Sequence, residues 1–227
     1  MNGSPRAAII LVAALFLLPW QRAAAQNLVT NPGFDTSVAG WGPAAPPPTW
    51  DGTRDADGNP SSGSAQTQNF GGVLLTCFPL LTQCVTGLVP GQTYEFGGKV
   101  FIPPGQIDPM LGPVQGSGQV EVVVSTLPNC GSPAFGGPAG PATTTTGTWF
   151  ESSGFFTVPP GVDSVQLQGV TCHTLGNGTL LVNFDDMFLQ PAPVGVVPTL
   201  DSRGLAVFGA LLAAMALLRR RRLRSRS

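Results

Sequence analysis

The sequence of 227 residues is short of ionisable side chains: charged residues make up 10%, with a single histidine and a single tyrosine. One histidine excludes a multi-histidine metal centre and leaves His173 as the only route to a serine–histidine–aspartate site. Gly-x-Ser-x-Gly, His-Glu-x-x-His and a phosphate-binding glycine loop are all missing, so a small hydrolase has no motif to rest on. The adjacent carboxylates Asp185 and Asp186 alternate to opposite faces of a strand, which argues against a glycosidase pair. Helical periodicity is missing from the interior, which excludes a helical bundle. Cations are scarcer still. Residues 27–197 hold only Arg54 and Lys99 against eleven acidic residues, a formal balance of -9 that the whole-chain value of -1 hides. Such a domain repels nucleic acid and anionic polymers, so neutral ligands or metal ions are the expected partners.

Most of the basic residues sit at the chain ends, where they carry topology. Residues 1–25 read as a cleaved signal peptide: Arg6 starts a thin basic region, Ala7 to Trp20 is apolar, and Ala23-Ala24-Ala25 supplies small residues for cleavage. The apolar stretch is shorter than the ~20 residues a span needs, and Pro19 interrupts it. At the other end, Pro198-Thr199-Leu200 precedes an apolar helix at 204–218 and an arginine-rich tail. That helix covers about 22 Å, short of the ~30 Å hydrocarbon core, so Arg203 and Arg219 must snorkel to opposite interfaces. The arginine cluster would hold the C-terminus in the cytoplasm and the domain outside.

Four cysteines, an even set, agree with export into an oxidising compartment and match no metal-ligand spacing. Three pairings are open. The expectation is Cys77 with Cys84, clipping a local loop, and Cys130 with Cys172, tying distant strands.

What the chain has in quantity is glycine, 30 residues, and proline, 23, punctuating short β-branched runs. These runs are Tyr94 to Ile102, Gln119 to Leu127, Trp149 to Val158, Ser164 to Val170 and Thr179 to Leu189. Turn signals separate them at Pro90-Gly91, Pro104-Gly105 and Pro160-Gly161, an all-β pattern. Gly136 to Gly147 reads as a low-complexity loop, and residues 191–197 as an extended Pro/Val tether after a domain spanning 26–190. In the opening, Asn27-Leu28-Val29 is expected as a short strand, Asn31-Pro32-Gly33 as a turn, and Phe34-Asp35 as the strand beyond it.

Two resemblances follow from these stretches. "NLVTNPGF" with Asp35 and Gly40-Trp41, "VTGLVPGQTYEFGGKVF", "WFESSGFFTVPPGVDSVQLQ" and "LLVNFDDMFLQ" occur in the order of landmarks in CenC-type (family 4/9) carbohydrate-binding modules. The resemblance implies a galactose-binding-like jelly-roll β-sandwich without catalytic activity, with Trp41 and Trp149 at structural positions. The tail resembles the IPTL-CTERM sorting signals, relatives of PEP-CTERM, although Val197 replaces the usual Ile and no Trp follows Leu200. That resemblance implies an inner-membrane-anchored precursor, an exosortase-like transpeptidase partner, and delivery to the envelope, surface or medium.

Candidate site residues come from both readings. If Val182, Phe184 and Phe188 point inward, alternation puts Asp186 inward and Asn183 and Asp185 outside. A buried carboxylate must be paired, protonated, metal-bound or turned outward by a bulge. Related modules hold a structural Ca²⁺ between opening and closing strands, and the matching positions are Asp35 and Asp186; the alternative is a turn-capping Asp35 and a hydrogen-bonded Asp186. "DGTRDADGNPSSG", Asp51 to Gly63, lacks the bidentate Glu of an EF-hand and reads as a polar Asx-rich loop. For a neutral polysaccharide, Trp50 is the stacking candidate and Gln166 with Gln168 present two amides on one face of a strand. The other reading is a structural envelope or matrix jelly roll without a sugar site.

Overall fold

A computed structural model describes residues 26–42, 46–71, 75–108, 112–113, 115–174 and 178–193. The chain divides into two units, Met1–Ala192 and Pro193–Ser227. The second, apart from Pro193, lies outside the described residues, as do the expected signal segment 1–25, the Pro198-Thr199-Leu200 motif and the expected helix at 204–218. No helix among the described residues is long and apolar enough to cross a membrane.

The described residues of the first unit are all-β. Its strands are β1 (Thr49–Asp51), β2 (Ser64–Asn69), β3 (Thr76–Thr86), β4 (Thr93–Phe101), β5 (Ile107–Asp108), β6 (Gly112–Pro113), β7 (Gly116–Ser125), β8 (Ala134–Ala139), β9 (Trp149–Thr157), β10 (Ser164–His173) and β11 (Leu180–Pro191). Two antiparallel sheets, β1-β2-β11-β4-β9 and β3-β10-β7-β8, make a sandwich, with β5-β6 a separate two-stranded ribbon. The alternation that marks β7 in the sequence explains its placement: Val120, Val122 and Val124 are buried while Gln119, Glu121 and Val123 face away from the core. Phe96 on β4, Leu167 on β10 and Phe184 and Leu189 on β11 close the same core. Each such side chain contributes roughly 1.5–3 kcal/mol on burial.

The opening segment departs from expectation, since neither Asn27–Val29 nor Phe34–Asp35 is a strand. Asn27 instead borrows β11 through its side chain, accepting the Leu189 N–H at 3.1 Å and donating to Met187 O at 3.0 Å. Gln83 of β3 holds the next stretch, accepting from Thr30 N at 2.8 Å and donating to Thr30 O at 2.9 Å. The turn then delivers Phe34, fully buried, against Trp41 with ring centroids 5.3 Å apart, and Trp41 Nε1 donates to Asn31 O. Trp41 is therefore a core residue, as its position in the resemblance implies.

The disulfides correct the expected pairing. Cys77 is bonded to Cys172 and Cys84 to Cys130. Cys77 and Cys84 both lie on β3, and seven residues of extended chain span roughly 23 Å, far beyond the reach of one disulfide. What reads as a local loop is one strand of 11 residues. A register shift opposite Gly169/Val170 inserts Leu80 into β3. It thereby puts both cysteines on the face turned away from the core.

Residues 136–147 are corrected too, because their first part belongs to edge strand β8. All six β8 residues are exposed, so no alternation advertises the strand. Gly137 lets the backbones approach: a β-carbon there would sit 2.5 Å from Val122 O.

Candidate functional site

Three regions carry polar chemistry. The first is the outer face of the β3-β10-β7-β8 sheet. Gln166 and Gln168 do share this face, and Gln168 Nε2 donates to Gln166 Oε1 at 2.5 Å. Register sets Gln168 between Thr82 and Glu121, and Gln166 between Cys84 and Val123. Gln119 reaches Glu121 Oε2 at 3.5 Å. Gln168 is only 5% exposed, so Gln166 is the more accessible amide. This row contains no aromatic side chain, and the two disulfides lie toward its opposite ends.

Trp50 is not brought to this face. It stands on β1 in the other sheet, 44% exposed, with Nε1 donating to Phe34 O at 2.7 Å. Its ring lies against Gly52 and Gly63, where an added β-carbon would come within 2.4 and 2.7 Å of the indole. The ring is thus a fixed edge rather than a swinging platform.

The second region is the outer face of the five-stranded sheet, over which the loop from Asp51 to Gly63 folds. Its internal turns are Asx-type, as expected: Asp51 Oδ1 accepts from Thr53 N, Asp55 Oδ1 from Asp57 N and Asn59 N, and Asn59 Oδ1 from Ser61 N. Two tethers pin it to β11. Asn183 Nδ2 donates to Asp51 Oδ2 and to Ser64 Oγ, both at 3.0 Å, and Asp185 Oδ2 accepts from Ala56 N at 2.8 Å. Asn183 and Asp185 face away from the core as alternation requires, but the loop buries them to 0% and 1% exposure. Sequence reasoning missed this network because Asp51 and Asn183 lie 132 residues apart; the only local signal was the Asp-Asp doublet.

Burial pushes the Asp185 carboxyl up to about 7; the N–H groups of Ala56 and Asp186 oppose the rise, while Asp186 and Asp55 add to it. For Asp51 burial also acts upward, but hydrogen bonds from Thr53, Arg54 and Asn183 outweigh it and hold the group below its ordinary value. Arg54 Nη1 lies 2.6 Å from Asp51 Oδ2, and its guanidinium covers the Phe101 ring at 5.6 Å.

The third region is the junction of opening and closing segments. Asp186 is not inward. A bulge between Asp185 and Phe188 gives Asp186 a φ of 47° and rotates the strand, so Met187 and Leu189 take the core positions and Phe188 pairs beside Gly97 on the outer face. The Asp186 carboxyl is raised by burial first and then by Asp57 and Asp55, against which Lys99 acts. The bulge nonetheless brings Asp186 toward Asp35: their Oδ1 atoms lie 4.0 and 3.7 Å from where a β-carbon on Gly33 would sit. Both carboxylates thus lie beside the same glycine, and Asp35 Oδ1 also accepts from Ser62 Oγ at 3.2 Å. No group of three acidic, histidine or cysteine side chains gathers for a metal among the described residues. A cation there would need carbonyl oxygens and water to complete its shell.

His173 offers no exposed base. It is 1% exposed, with Nδ1 against Thr174 O and Nε2 buried without a hydrogen-bond partner among the described residues. A cavity of about 410 Å³ opens nearby, lined by Ile102, Gln115, Ser117, Thr144 and Cys172.

With this geometry in hand, the fold can be compared with solved proteins. The chain is similar to the tandem family 22 carbohydrate-binding modules of Paenibacillus barcinonensis Xyn10C, with a TM-score of 0.53 and 13% identity. That alignment covers 78% of this chain and 52% of the tandem, about half its length. It is also similar to the C-terminal family 22 module of Clostridium thermocellum Xyn10B, with a TM-score of 0.51 and 14% identity over 77% of this chain and 100% of that one. These likenesses establish the β-sandwich of a carbohydrate-binding module as the fold. No family model matches the sequence, and no curated protein does.

Proposed function

We propose that the chain is an exported, surface-sorted protein whose β-sandwich is a non-catalytic module for a neutral extracellular polysaccharide. The observation that carries this reading is the amide pair Gln166 and Gln168 beside Thr82 and Glu121 on an outer sheet face free of cations. Amides and a carboxylate offer both donors and acceptors to hydroxyls, and a net negative domain repels anionic polymers. In the Xyn10B module, conserved residues of the cleft have a role in ligand binding. Export is supported by the two disulfides. Sorting by an exosortase-like transpeptidase, through Pro198-Thr199-Leu200 and a membrane-inserted precursor, rests on the tail sequence. A structural Ca²⁺ between Asp35 and Asp186 belongs to the same proposal, supported by the approach of both carboxylates to Gly33.

A second reading is favoured by one specific observation: the amide row has no aromatic platform, and Gln168, 5% exposed, already donates to Gln166. On that reading the sandwich is a structural envelope or matrix unit without a sugar site. Affinity electrophoresis in gels containing xylan, galactan or β-glucan separates the two. Retardation that Gln166→Ala abolishes supports the module, and unretarded migration in every polymer supports the structural unit. Release of reducing sugar would overturn both.

A further inference from the structure

The loop from Asp51 to Gly63 and β9 line an open pocket of about 270 Å³, bordered by Thr53, Arg54, Asp55, Asn59 and Trp149 among others. Its wall is Trp149. This side chain is half-buried, stands outside the core cluster, and leans on Phe101 with ring centroids 5.2 Å apart. That departs from the structural position its sequence context implies. Phe101 in turn carries the Arg54 guanidinium, whose Nη1 also donates to Asp51 Oδ2. The pocket's one cation is therefore fixed in place, with N–H groups beyond Nη1 to spare. Asp55 spends Oδ1 on the backbone N–H groups of Asp57 and Asn59, which leaves Oδ2 as an acceptor. Asn59 spends Oδ1 on Ser61 N, which leaves its amide N–H groups as donors.

We propose that this pocket is a second saccharide site, taking a single neutral pyranose ring. A flat indole meets the C–H face of a sugar, and donors from Arg54 and Asn59 with an acceptor on Asp55 meet its hydroxyls. The volume lies below the roughly 300–1,000 Å³ of pockets for larger ligands, which suits a contact with one ring. Asp51 and Asp55 outweigh Arg54, so a uronate or phosphate is disfavoured. The Asx turns and the Asp185 tether order the loop before any ligand arrives, so little ordering entropy is lost on binding. The site lies on the sheet opposite the amide pair and stands or falls independently of it.

Amide NMR of the full-length protein in micelles, titrated with D-xylose, D-glucose, D-galactose and glucuronate, tests this. The backbone N–H groups of Thr53, Gly58 and Asn59 and the Trp149 indole N–H should shift and saturate with a neutral sugar, and not with glucuronate. Arg54→Gln and Asn59→Ala, each checked for an unchanged melting curve, should weaken that titration about tenfold, the loss of one good hydrogen bond. Gln166→Ala should leave it alone. Resonances that no neutral sugar moves, or that move in both variants just as they do in the wild type, would overturn the second site. Shifts at Gln166 and Gln168 report separately on the amide face.

Discussion

The two outer faces of this sandwich are held by opposite means. On the four-stranded sheet the backbone is stapled covalently, by Cys77–Cys172 and Cys84–Cys130, and its polar side chains largely bond one another. On the five-stranded sheet no disulfide is present among the described residues; a 13-residue polar loop is laid over β11 and held by Asn183, Asp185 and the Asp51–Arg54 pair. A covalent staple acts chiefly on the unfolded chain and tolerates an exposed, plain surface. A hydrogen-bonded lid needs buried polar partners, which makes its stability sensitive to pH and to single substitutions.

Breaking the staples should give the largest effect. Their sequence separations of 95 and 46 imply about 4 to 5 kcal/mol each in the chain-entropy model, as upper figures. Replacing either pair with alanine should therefore lower the denaturation midpoint severely, and unreduced peptide mapping should recover these two links alone. Fragments joining Cys77 to Cys84 would sink both the pairing and the comparison.

The lid should respond to pH where the staples do not. Asp185 is raised from 3.8 to about 7, so between these values the folded protein retains a proton that the unfolded chain has released. Stability should fall as pH rises from about 4 to about 7, by at most about 4 kcal/mol from this group. Asp185→Asn should flatten that slope when both are measured by urea unfolding in chelator. A wild-type slope that survives the substitution would place the titration elsewhere.

Calcium bears on the junction beneath the lid. If Asp35 and Asp186 share the ion, a hundredfold excess over Kd stabilises by about 2.7 kcal/mol, and Asp186→Asn should remove the response to chelator. Superimposable melting curves with calcium and with chelator would remove the ion from the account.

The smallest effect sharpens the contrast side chain by side chain. Asn183→Ala leaves Asp51 and Ser64 without their shared donor and should cost about 1–3 kcal/mol, whereas Gln166→Ala, on the plainer face, should stay within about 0.5 kcal/mol. Equal losses at both positions would mean that the amide row is as built-in as the lid.

How much of this was legible depended on range. β4, β7, β9 and β11 announced themselves through alternation and flanking Pro-Gly turns, because a half-buried strand selects its side chains two by two. β8 did not, since a glycine-rich edge strand with every residue exposed leaves no pattern. In the sequence the bulge at Asp186 is only one way out for a costly carboxylate, and nothing local distinguishes it from a metal or a hydrogen bond. Of the candidate site, the amide pair was readable from spacing within one strand. The pocket of Arg54, Asp55, Asn59 and Trp149 was not, because it joins a loop to a strand about ninety residues later.

By itself, the order of residues determined the all-β class, the scarcity of cations in the domain and the Asx turns of the Asp51–Gly63 loop, all of which follow from short-range sterics, composition and local hydrogen bonding. Only the tertiary structure decided which cysteines meet, that Asn183 and Asp185 are buried although they face outward, and that Asp186 turns aside to let Met187 into the core. Those outcomes depend on register between distant strands and on what covers a sheet face, and the alternation of a single strand carries information about neither.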